Sequence, residues 1–105
     1  MIAAPGSAVA ILGGVNYEGL PGWDLVHEGL HDLAAGRETV PALLVLIGAP
    51  RLRSVGVIVP EVAVNDPDHR LFALLAREDA DSAHGRYNAL IRELISFERA
   101  AECAA

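Results

Sequence analysis

The stretch "ETVPALLVLIGAPRLRSVG" (Glu38–Gly56) decides the fold, because an apolar run of this length is either a buried strand or a buried helix and periodicity alone does not separate them. Three features favour helix. Thr39 stands where an N-cap hydroxyl is wanted, and Pro41 falls in the first turn, where its missing N–H is tolerated. Within Ala42–Ile47 only Val45 and Ile47 are β-branched. Gly48 and Pro50 are expected to kink or break this helix. The competing reading makes 42–47 a strand, joins it to strands at 8–12 and 55–59, and gives an α/β fold.

Towards the N-terminus the pattern turns helical at Trp23. Trp23, Val26, Leu30, Leu33 and Ala34 recur at spacings of three and four, and Gly36 follows where a glycine stops a helix. A helix over 22–35 results. Residues 1–22, rich in Gly and Pro around "AVAIL", read as an extended or strand-like arm. Towards the C-terminus, "VGVIVPEVAVN" is β-branched and interrupted by Pro60, so it reads as extended chain wrapping the helices. Asp66 and Pro67 then open a helix carrying Leu71, Leu74 and Leu75 on one face. A last, long helix follows a cap at Asp81 or Ser82. The expected architecture is an all-α bundle of four to five helices, orthogonal or up-down, over 23–105, within a single domain.

Composition narrows the function classes. The 105 residues are 52% hydrophobic and only 5% aromatic, with a mean hydropathy of +0.34, so the core is built from Leu, Val, Ile and Ala. That much apolar content in so short a chain suggests a surface that needs a partner. The net charge of −6 opposes nucleic acid, whose binding needs clustered cations to displace counterions. Every one of the eight basic residues is Arg, and no function follows from that. The single Cys103 fits a reducing compartment. "MIAAPGSAVAILGG" lacks a positive n-region, and "VPALLVLIGAP" is too short to span a bilayer. The expected setting is the cytoplasm, without membrane attachment and without a cofactor.

Three motifs carry chemistry on paper. "HEGLH" places His27 and His31 at i and i+4, one above the other on a helix, with Glu28 as general base; over these five residues it resembles the zincin metalloprotease motif, which implies a zinc-dependent hydrolase. Outside them the pattern departs, since Asp32 is charged, Ala34 and Arg37 occupy the metzincin glycine and third-histidine positions, and the possible third ligands His69, Glu78 and His84 sit in no such motif. The expectation is that no metal binds and that His27, about 40° round the helix from Trp23, covers the flank of the apolar stripe.

Arg77 and His84, with six residues between them, loosely resemble the Arg-x(4–6)-His motif of HEPN ribonucleases, with Glu78 where a polar Asn, Asp or His is favoured. The plainer reading is a cation at a helix C-terminus and a solvated His. "LLVLIGAPRLRSV" fails as a helix-turn-helix because Val45 and Leu46 stand where solvated residues belong. "AILGGVNYEGLPG" contains neither GxGxxG nor a P-loop.

A non-enzymatic protein-interaction module remains, and its last helix suggests how it associates. Ala83, Tyr87, Leu90, Leu94, Phe97 and Ala101 follow a heptad spacing, widened by Ile91 and Ile95. Tyr87, Leu90, Leu94, Phe97 and Ala101 are therefore the expected homodimer interface, rimmed by Arg92, Glu93, Glu98 and Arg99; the competing reading packs the whole stripe inside the protomer against Leu71, Leu74 and Leu75.

Overall fold

The computed structural model describes residues 11–12 and 15–104. Among them it has four helices: α1 (Trp23–Ala34), α2 (Val40–Ser54), α3 (Pro67–Glu78) and α4 (Ala83–Ala104). A two-residue antiparallel pair, β1 (Ile11–Leu12) with β2 (Val15–Asn16), precedes them. The fold is a small all-α bundle. The strand expected at 8–12 falls partly on residues outside the described ones, 42–47 is helical, and 55–59 pairs with no strand among the described residues.

The deciding stretch is helical for the reasons its ends supply. The Thr39 hydroxyl accepts the Ala42 N–H at 3.3 Å, and Pro41 lies in the first turn. The expected break at Gly48 and Pro50 does not occur, and the helix runs on to Ser54. A helix-interior proline costs about 3 kcal/mol. Ala49, Leu52 and Val55 on either side of Pro50 are buried, and burying such side chains recovers roughly 1.5–3 kcal/mol for each larger one. Pro50 itself faces solvent.

Packing explains why this stretch lacks a clean period. Ala42, Leu43, Leu44 and Val45 are buried one after another, which needs neighbours on every side. α2 has them, since it packs against α1, α3 and α4. It is the central helix, apolar nearly all round.

The remaining elements wrap it. α1 stops one residue before the expected 35, with Gly36 at φ 77°. Asp66 occupies the N-cap position of α3 and its carbonyl accepts the Arg70 N–H, but at φ 49° its side chain makes no cap bond. The expected side-chain cap is therefore absent, because the left-handed backbone there does not hold the carboxylate in the usual capping position. Ser82 precedes α4 and accepts the Arg86 N–H through its backbone carbonyl. Between α2 and α3, residues 57–64 run extended as a strap: Val57 and Val59 are buried while Ile58 is 71% exposed.

The extended arm contributes more than expected. Tyr17 is fully buried, stacks on Trp23 (centroids 5.7 Å apart) and meets Phe97, and its Oη donates to the Val55 carbonyl at 2.5 Å. Burial pushes its phenol above the usual range. One side chain thus ties the segment before α1 to the end of α2 and the middle of α4.

Candidate functional site

Within the "HEGLH" helix turn His27, Gly29 and Leu30 pack against the protein and Glu28 and His31 do not. The His27 ring stacks on Trp23 at 5.2 Å, and Trp23 stacks in turn on Phe97 at 5.8 Å. His27 is therefore the outer layer of an aromatic stack, half-buried as its place beside the stripe suggested. Glu28 and His31 face solvent. Gly29 is buried against the start of α2: a Cβ there would overlap the Pro41 carbonyl and sit 2.5 Å from Val45 Cγ2, so only glycine allows the two helices to approach this closely. Among the described residues no group of three His, Cys, Asp or Glu could hold a metal ion.

The residue after the motif has a structural task as well. Asp32 is buried and accepts from Thr39 Oγ1 at 2.6 Å and from Arg37 Nη2 at 2.9 Å. The Thr39 bond, then the Arg37 bond, hold its carboxyl below the usual range. Thr39 meanwhile caps α2, so one carboxylate fixes the α1–α2 turn and the start of the central helix. The charge that departs from the zincin pattern is the charge the turn uses.

Arg77 and His84 have separate surroundings. Arg77 lies exposed in the last turn of α3, where its charge helps hold the Glu38 carboxyl down, behind the larger effect of the hydrogen bond from Arg70. His84 is exposed with its ring edge towards Phe72 at 6.4 Å.

On α4, three of the five residues expected at a dimer interface point into the protomer's own core: Leu94, Phe97 and Ala101 are 4%, 0% and 0% exposed. Tyr87 and Leu90 are half-buried. The residues that widened the stripe are the ones left open, with Ile91 half-buried and Ile95 40% exposed. Glu98, expected on the rim, is instead 7% exposed. Burial pushes its carboxyl up, against the opposing pull of the Arg51 charge. Arg51 makes its ion pair with Glu102, one turn further along α4.

The open surface is concave where α2 faces its neighbours. One recess of about 550 Å³ lies between Leu46, Ile47 and Pro50 of α2 and Tyr87, Asn88 and Ile91 of α4. A second, of about 470 Å³, lies between Leu46, Ala49 and Pro50 and the strap residues Glu61, Val62 and Val64. Both share Leu46, Pro50 and Pro67 and so form one groove across α2. The signal for it in the sequence was Pro50, a proline retained on the open side of a buried helix. No described helix is long and apolar enough to cross a membrane. Comparison of the chain with known protein families, with curated proteins and with solved structures finds no match in any of the three.

Proposed function

We propose that the chain is a small cytoplasmic protein-interaction module that associates with a second copy of itself. The observation that supports this is the apolar surface left open beside the core, where Ile91 of α4 lines the recess with Ile47 and the exposed Ile95 follows it one turn further along α4. Contiguous apolar surface on a small domain is stabilised when a partner covers it. The cytoplasm suits the exposed Cys103, a free thiol without a partner for an internal disulfide.

The contacting flank of α4 is Tyr87, Ile91 and Ile95, since Leu94, Phe97 and Ala101 are occupied inside. Exposed Arg92 and Arg99 flank Ile95 on the helix, and such rim charges orient a contact more than they strengthen it. Light scattering at micromolar concentration tests the reading directly. A dimer that Ile95→Glu converts into a monomer of unchanged helical content is the expected result, and a monomeric native chain rejects self-association.

A further inference from the structure

We infer that the part of the groove between α2 and the strap receives an apolar segment bearing basic side chains from a partner protein; this rests on the interaction-module reading. The apolar half of the argument is the lining. Leu46, Ala49 and Pro50 form one wall and Val62 and Val64 the other, and Val62 is 40% exposed at the mouth. Such a recess accommodates aliphatic side chains from a docked segment.

The charge half comes from what surrounds it. Glu61 lines this recess and Asp68 the adjoining one, and neither belongs to an ion pair among the described residues. Asp66, beside Pro67, is exposed as well. The lining cation, Arg53, already donates through its guanidinium to the Val59 and Pro60 carbonyls at 3.1 and 3.4 Å. Pro50 has no N–H, so the carbonyl of Leu46 lacks its usual i+4 donor. The strap recess itself carries one carboxylate, Glu61, and one guanidinium, Arg53, and the excess of negative charge comes from Asp68 and Asp66 beside it.

The complement is a donor-bearing, cationic segment. A second copy is the weaker complement, because the chain carries a net charge of −6 and its own apolar-basic stretch is engaged within the protomer, Arg51 with Glu102 and Arg53 with the Val59 and Pro60 carbonyls. Self-association on the α4 flank and partner binding beside the strap use adjoining halves of the one groove, so the oligomeric state is measured alongside peptide binding.

The probe is a labelled synthetic peptide of alternating Lys and Leu, titrated with the full chain and followed by fluorescence anisotropy, alongside a peptide in which Glu replaces every Lys. The Lys–Leu peptide is expected to saturate in the micromolar range and the Glu–Leu peptide not to bind. Reversing two rim charges in Glu61→Lys/Asp68→Lys, both exposed, should weaken the Lys–Leu peptide about tenfold or more, while Ile95→Glu leaves it unchanged. Equal binding of both peptides, or no response to charge reversal, overturns the inference. Absence of peptide binding by a chain that still dimerises overturns it and leaves the module reading standing. Absence of binding by a monomeric chain rejects both.

Discussion

The Glu98 carboxylate of α4 lies directly against Gly48 of α2: a Cβ added at Gly48 would fall 2.9 Å from Glu98 Oε2 and as close to Leu94 Cδ2. Glycine lets the two helices come together, and the closeness buries a carboxyl that the sequence places on a solvated rim. Arg51 sits near enough to influence Glu98 but is paired with Glu102. Two carboxylates share one cation.

The pH dependence follows. Glu98 has a raised folded-state pKa, so the native chain holds this proton more tightly than the unfolded chain does. Its penalty is absent below the ordinary carboxylate range and complete above the raised folded value. Removing the charge in Glu98→Gln is expected to raise Tm at pH 7 and to leave it unchanged well below the carboxylate range, flattening the melting profile on the acidic side of neutrality. The gain is a few degrees after allowance for the water that still reaches the group. Calorimetry from about pH 2.5, well below the carboxylate range, to pH 8 checks it, and a Tm loss at every pH contradicts the assignment.

Asp32 works in the opposite sense. Its folded pKa is lowered, so the stability it contributes is present above the ordinary carboxylate value and is lost as pH falls through the folded one. Asp32→Asn should lower Tm at neutral pH and remove part of the acid sensitivity. Thr39→Ala, which deletes the cap of α2, should cost about 1 kcal/mol, read as a shift of the urea midpoint with unchanged slope.

Replacing Gly29 tests the packing account of "HEGLH". Gly29→Ala forces a methyl between α1 and the Pro41 carbonyl and should destabilise by roughly 1–3 kcal/mol, whereas His31→Ala, at an exposed position, should change stability by less than about 0.5 kcal/mol. Protein purified without chelator or affinity tag is expected to contain no stoichiometric zinc. Zinc lost on His31→Ala would revive the hydrolase reading, and RNA cleavage abolished by His84→Ala the ribonuclease one.

Uncovering Trp23 should be visible. His27→Ala removes the outer ring of the stack, so tryptophan emission is expected to shift to longer wavelength, with a stability loss of about 0.5–1.5 kcal/mol. An unchanged spectrum would show that His27 does not cover the indole.

Leu94 and Ile95 are neighbours in sequence with opposite surroundings. Leu94→Glu buries a charge in the core and should abolish the cooperative helical melt, while Ile95→Glu keeps the fold. Circular dichroism with heating separates them.

Much of the fold was written in local signals. Thr39 with Pro41, the spacing from Trp23, and Pro67 mark helix starts because the Thr39 cap and the steric restriction of proline act within one turn of chain. The β-branched run around Val57–Val59 with Pro60 is an equally local signal of extended chain. These residues therefore indicated helices and a strap, and with the chain's length they pointed to a small bundle.

What only the tertiary structure decided is which apolar side chains meet each other. A heptad seam for a second copy and a stripe for the protomer's own core have the same spacing, so Leu94, Phe97 and Ala101 could not be told from interface residues until α2 lay beside them. Pro50 reads as a break until its buried neighbours are seen to hold the helix through it. That Gly29 of "HEGLH" lies against Pro41 is likewise seen only once α1 and α2 are packed together. Glu98 reads as solvated until Gly48 draws the helices together. Caps and turns are decided over three or four residues, whereas burial and ionisation depend on groups brought together from as far apart as Gly48 and Glu98, and those distances exist only in the folded chain.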